Sequence, residues 1–122
     1  MRPSLLIVND EPNFIALLER VLSREGYHVT AVDGSDKALH HLNRASFELA
    51  ILDIKMYPMN GIELLAEIKK RAPSTQVIIV SGNLTDDIRD ECKRLGATDY
   101  LKKPIQLAEL KAVVRQVAGA PE

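Results

Sequence analysis

A single cysteine, Cys92, is present in the 122 residues, which excludes an intrachain disulfide and any cysteine-rich metal centre. Set between Glu91 and Lys93 in a helical stretch, it reads as a thiol on a helix face. Long apolar runs are missing too: none approaches the roughly 20 residues that span a membrane. Met1-Arg2-Pro3 leads into a four-residue apolar run and then acidic residues, without the long apolar core of a secretion signal, so the expected location is cytoplasmic. Nor is there an excess of one charge. With 16 Lys and Arg against 17 Asp and Glu the formal net charge is −1, and no basic stripe of the kind that grips nucleic acid stands out. What is present, 46% hydrophobic residues, is ordinary for a globular chain. The length suits one domain over 1–122, with 116–122 a tail or the start of a linker, burying roughly two-thirds of the unfolded surface.

Periodicity and punctuation predict five strand–helix pairs: strands over 5–9, 28–32, 48–53, 76–81 and 98–102, and helices over 13–25, 36–45, 61–71, 85–94 and 106–118. Pro12 suits a first helical turn, where a missing N–H costs nothing, and Gly26 and Gly96 suit left-handed helix ends. Ser35 and Thr85 read as N-terminal caps. Phe14, Leu17, Leu18, Val21 and Leu22 recur at helical spacing, as do Ile62, Leu65, Ile68 and Lys69 less cleanly. Runs 5–8, 49–52 and 77–80 are apolar throughout, as strands covered on both faces are, whereas 28–32 and 99–102 are mixed. The mixed strands belong at the edges. With right-handed crossovers the expectation is an α/β fold: a doubly wound, flavodoxin-like parallel sheet of five strands in the order 2-1-3-4-5, with five helices.

Ligands in such sheets bind beyond the carboxyl ends of the strands where the winding reverses, here between the first and third strands. Asp10 and Asp53 follow those strands. Neighbouring strands lie roughly 4.8 Å apart, so two carboxylates there can share one cation, and hard oxygen ligands suit Mg²⁺. Ser81 ends the fourth strand and Lys103 follows the fifth. A carboxylate nucleophile, a divalent metal, a hydroxyl and an ammonium make a kit for phosphoryl transfer.

These residues carry a family resemblance. The cluster Asn9-Asp10-Glu11, Asp53 followed by Met56 and Gly61, Ser81-Gly82, Tyr100 and Lys103-Pro104 occur in order, each at the end of its strand, and over nearly its whole length the chain resembles the receiver domain of two-component response regulators. The resemblance implies that Asp53 is a phosphoacceptor, that Asp10, Asp53 and the main-chain carbonyl of Lys55 ligate Mg²⁺, and that Ser81 and Lys103 bind phosphoryl oxygens. It further implies a switch pair, Ser81 and Tyr100, and a cis bond before Pro104. A sensor histidine kinase or phosphotransfer protein would be the phosphoryl donor in a phosphorelay. The output surface would be the fourth helix, fifth strand and fifth helix, roughly 84–118, whose charges suit dimerisation or docking to an output domain or partner. Catalysis would be self-directed: phosphotransfer to the chain itself and loss of that phosphate to water, its lifetime tuned by Lys55 and Asn83.

Two positions depart from the family pattern. Asn9 stands where most receivers carry an acid, which leaves the site one negative charge short; its amide reaches the metal through water, and Mg²⁺ binding is expected to be weaker. The proline-glycine pair usual after the acceptor appears as Tyr57-Pro58, with the loop length to Gly61 kept. Plainer accounts exist for each residue alone: caps for Asp10, Glu11 and Asp53, a turn residue for Ser81, a solvated charge for Lys103, an edge-strand aromatic for Tyr100. They leave the convergence on one rim unexplained. Two rivals are a pseudo-receiver that never carries phosphate, suggested by Asn9, and an Mg²⁺-dependent phosphohydrolase, disfavoured by Lys55 where such enzymes carry an acid. His40 and His41, adjacent on a helix, do not face the same way and read as surface residues; His28 has no evident ligand partner.

Overall fold

A computed structural model describes residues 2–56 and 58–121, so the Tyr57 half of the altered loop pair lies outside the described residues. Five strands, β1 (Ser4–Val8), β2 (His28–Val32), β3 (Leu49–Asp53), β4 (Gln76–Ser81) and β5 (Asp99–Lys102), alternate with five helices. The helices are α1 (Pro12–Glu25), α2 (Ser35–Leu42), α3 (Gly61–Arg71), α4 (Asp86–Arg94) and α5 (Leu107–Ala118). All pairings are parallel, in the order β2-β1-β3-β4-β5. The expected architecture is the observed one, with the mixed strands at both edges.

The sheet divides the apolar side chains into two layers, because alternate residues of a strand face opposite ways. Leu6, Val8, Ala50, Leu52, Val77 and Ile79 pack with α2, α3 and α4 on one face. Leu5, Ile7, Leu49, Ile51, Ile78 and Val80 pack with α1 and α5 on the other. A strand that must bury both faces has no polar side to show, which is why β1, β3 and β4 read as unbroken apolar runs.

Most boundaries follow from local chemistry. Pro12 opens α1, and Gly26 closes it at φ 109°, a left-handed conformation that side chains with a Cβ resist. Thr85 caps α4 by accepting from the N–H of Ile88, and Asn60 and Glu63 form a reciprocal capping box on α3.

Four expectations need correction. Ser35 does not cap α2: Gly34 holds the cap position and Ser35 is the first helical residue, fully buried, with its hydroxyl accepting from the N–H of Met59 at 2.9 Å. The second helix ends at Leu42, since Arg44 and Ala45 both turn back to the carbonyl of His41. Cys92 is no face thiol but the fully buried residue of α4, its pKa pushed up by burial and then by Glu91. In α3 the buried stripe is Leu64, Leu65 and Ile68, while Lys69 lies across Gly96 and donates to the carbonyl of Thr75 at 2.7 Å. Among the described residues no helix is long and apolar enough to cross a membrane.

Candidate functional site

Register assembles the site. Val8 pairs with Leu52, Asp53 with Val80 and Ser81 with Lys102, so the residues that end or follow these strands meet at one rim. Asp53 sits at the centre, buried at the end of a strand covered on both sides. A buried carboxylate needs partners for its charge. Lys103 Nζ donates to Asp53 Oδ2 at 2.7 Å and Asn9 Nδ2 to the same oxygen at 3.1 Å, while the N–H of Lys55 reaches Oδ1 at a longer 3.3 Å.

The backbone beneath Asp53 is fixed by Gly61. A Cβ there would fall 2.1 Å from the Asp53 carbonyl oxygen, and the N–H of Gly61 donates to the carbonyl of Ile54 at 2.9 Å. Helix α3 thus begins against the end of β3, with no room for any side chain. The loop between them is also tied to α2 by the bond from Met59 to Ser35.

Around Asp53 the remaining predicted residues converge. A cleft of about 380 Å³ is lined by Asp10, Glu11, Asp53, Lys55, Ser81, Gly82, Asn83 and Lys103. Carboxylate oxygens of Asp10, Glu11 and Asp53 come within 4.8 Å of one another, an all-oxygen set that fits a hard divalent cation such as Mg²⁺. Lys103 bridges this cluster, donating also to Glu11 at 3.0 Å and lying 4.7 Å from the centroid of the Phe14 ring. Burial opposes its charge, yet the hydrogen bonds and charges of Asp53 and Glu11 outweigh that and raise its pKa above the usual 10.5. The Lys103-Pro104 bond is cis, and the N–H of Lys103 donates to the carbonyl of Ser81 at 2.9 Å. That last bond locks the ends of β4 and β5 together.

Ser81 is buried, its Oγ accepting from the N–H of Asn83 at 3.1 Å. Tyr100 is half-buried on β5, with the Arg89 guanidinium of α4 5.4 Å from its ring centroid. Thus the two residues of the expected switch pair occupy neighbouring strands, one in the cleft wall and one against the helix above it.

The roles of Glu11, Phe14 and Ser35 around this site went unread in the sequence. Glu11 was visible only as a member of an acidic cluster, and nothing in spacing alone ties it to a lysine 92 positions away. A larger hollow of about 880 Å³ opens at the other end of the sheet beside Tyr27 and His28. It gathers no comparable set of buried charges, so convergence of chemistry outranks size. His40 is exposed and His41 half-exposed on α2, as expected of surface residues.

The fold and rim define a class, and comparison with known proteins agrees. The response regulator receiver domain family matches residues 5–115, and the chain belongs to that family. It is 33% identical over 112 residues to the transcriptional regulatory protein ZraR of Klebsiella oxytoca, covering 92% of this chain and 25% of that protein. It is 37% identical over 119 residues to the response regulator ArlR of Staphylococcus aureus strain Mu50, covering 93% of this chain and 51% of the relative. The chain therefore spans about a quarter to a half of the curated relatives it matches. Among solved structures, a CheY-like receiver domain from Methanospirillum hungatei superposes with a TM-score of 0.92 at 28% identity, covering 95% of this chain and 93% of that one. The receiver domain of a putative Luxo repressor protein from Vibrio parahaemolyticus gives 0.91 at 30% identity, with 97% and 91% covered. Such domains are signalling modules of two-component systems, and phosphorylation-controlled signalling is the function that the family and the rim share.

Proposed function

We propose that Asp53 accepts a phosphoryl group from a phosphohistidine of a sensor histidine kinase or phosphotransfer protein. A carboxylate oxygen attacks phosphorus, the P–N bond breaks, and its electron pair leaves with the imidazole nitrogen, giving an aspartyl phosphate. The observation that carries this is the buried Asp53 carboxylate held 2.7 Å from the Lys103 ammonium at the mouth of an open cleft. Lys103, freed from Asp53 Oδ2 as that charge is taken up in the new bond, turns to a phosphoryl oxygen. Ser81 offers its hydroxyl to another.

Mg²⁺, held by Asp10, Asp53 and the main-chain carbonyl of Lys55, with Asn9 contributing through water, would neutralise charge developing on the phosphoryl oxygens. Once the phosphoryl group is in place, Ser81 moves toward it, and the gap it leaves in the cleft wall admits Tyr100. Because Tyr100 lies against Arg89, that movement is felt by α4, and the surface formed by α4, β5 and α5 becomes the output face for an output domain, a partner or a second copy. Lys55 and Asn83, which line the cleft, set the lifetime of the phosphoaspartate.

Incubation with acetyl phosphate and Mg²⁺ should add the mass of one phosphoryl group, mapped to Asp53 by peptide mass spectrometry and missing from Asp53→Ala. An unmodified parent, or modification undiminished in Asp53→Ala, would remove Asp53 as the acceptor.

A further inference from the structure

Asn9 is 2% exposed, and both ends of its amide are spoken for. Its Oδ1 accepts from the N–H of Glu11 at 2.8 Å. A backbone N–H can only donate, so that oxygen is fixed in place and the amide nitrogen must be the atom facing Asp53. Nδ2 then donates to Asp53 Oδ2 at 3.1 Å, between two buried side chains at the carboxyl ends of adjacent strands. The turn made by Asn9 and Glu11 thus aims a donor at the carboxylate.

An aspartate at position 9 would keep the bond to Glu11 through one oxygen and present its other oxygen to Asp53 at the same separation. Two carboxylates that close repel, and only a cation between or beside them relieves it. With asparagine the contact is attractive without any ion. Lys103 Nζ, Asn9 Nδ2 and the Lys55 N–H together give Asp53 three donors from the chain itself.

We infer that Asn9 is a positioning residue that holds Asp53 in place of a divalent cation, so that the resting site is ordered without metal and gains little from binding one. This rests on the reading of Asp53 as the phosphoacceptor and adds to it a reason for the amide. The cation is needed at the transfer step and not to keep the acidic rim from flying apart. Its affinity is lower because one negative charge is missing and because Asp53 is already satisfied.

Thermal unfolding with and without MgCl₂, at matched ionic strength, tests the idea on the parent, Asn9→Asp and Asn9→Ala. The parent Tm should be nearly independent of Mg²⁺ up to its own dissociation constant. Asn9→Asp should melt lower than the parent without metal and rise toward it as Mg²⁺ is added, the rise setting in at a concentration at least about tenfold below the dissociation constant of the parent, since a ligand of the native state stabilises by RT ln(1 + [L]/Kd). Asn9→Ala should melt lower without acquiring that response, which separates loss of the bond from gain of charge. Amide shifts of Asp53 and Lys55 followed through the same Mg²⁺ titration supply the parent's dissociation constant. Asn9→Asp as stable as the parent in the absence of metal, or Mg²⁺ affinities within twofold of each other, would overturn the inference. Labelling with acetyl phosphate on the same samples keeps the two readings apart. A parent that takes up no phosphoryl group while the melting pattern holds sinks phosphotransfer alone, and labelling at Asp53 with no difference in Mg²⁺ response sinks the role of Asn9 alone.

Discussion

The two ends of the sheet are built from opposite materials. At the amino end, polar side chains close off backbone carbonyls: Tyr27 Oη donates to Gly119 at 2.8 Å, Thr75 Oγ1 to Phe47 at 2.9 Å, and Lys69 Nζ to Thr75 at 2.7 Å. At the carboxyl end, side chains meet side chains, and nearly all of them carry charge: Lys103 with Asp53 and Glu11, and Asn9 with Asp53. The first arrangement satisfies groups that the fold buries anyway, and its partners are fixed by the backbone. The second concentrates carboxylates that would repel one another were it not for a lysine and an amide. One end holds the chain together; the other gathers charged groups at one cleft. Changes at the amino end should therefore cost stability and spare phosphorylation, whereas changes at the carboxyl end should reach phosphorylation whatever they do to stability.

The sharpest way to break this division is Gly61, which lies at the carboxyl end yet acts through the backbone. Gly61→Ala forces a methyl group into the Asp53 carbonyl, so it should cost about 3 kcal/mol or more of stability, measured by urea unfolding, and also displace the acceptor. A cost below about 1 kcal/mol would show that the loop yields there. Next in size is Thr75→Val, which leaves the carbonyl of Phe47 without its buried donor: the loss should be about 1–3 kcal/mol with acetyl phosphate labelling unchanged. Reduced labelling in that variant would mean that the two ends are not independent.

The smallest effect is the alkaline limit, where each end contributes one group. Both Tyr27, above 10.0 by burial, and Lys103, above 10.5 by its acidic partners, have raised pKa values. A raised value favours the protonated form in the fold, so each contribution is complete below the unfolded pKa and is lost as pH rises through the folded one. From these two groups, stability should be flat from neutrality to about pH 9.5 and fall beyond pH 10. Tyr27→Phe should lessen that fall, whereas an identical alkaline profile would show that Tyr27 does not contribute.

How much of this was legible in the sequence follows from what each feature depends on. Strand order was readable because burial on both faces leaves a mark in composition; Asp53 and Ser81 were readable because each ends such a run, and Lys103 because it follows the mixed edge strand. Asp10 and Glu11 showed as acids, but the Lys103–Glu11 bridge depends on a side chain that follows β5 reaching the loop after β1 across β3 and β4, which no local pattern encodes. Ser35 looked like a cap because serine favours that position, yet Gly34 in extended backbone takes it, and the hydroxyl serves a loop 24 residues away. Asn9 appeared as a missing charge whose amide could reach a metal through water. That its nitrogen faces Asp53 depends on the turn with Glu11, a matter of one backbone N–H and its direction.

The tight seat of Gly61 against Asp53 also bears on mechanics. One wall of the cleft is stiff: the backbone of Asp53 abuts the start of α3 with no slack, and the loop between is pinned to α2. The facing wall has room, since Gly82 has open space where a side chain would stand, and Asn83 beside it is exposed. A load applied at Asp53 cannot be absorbed by an anvil. If Asp53 is the acceptor, as proposed, the load would pass to the side with room, along Ser81-Gly82-Asn83 toward α4, and the direction of the signal would be set by where the protein refuses to bend.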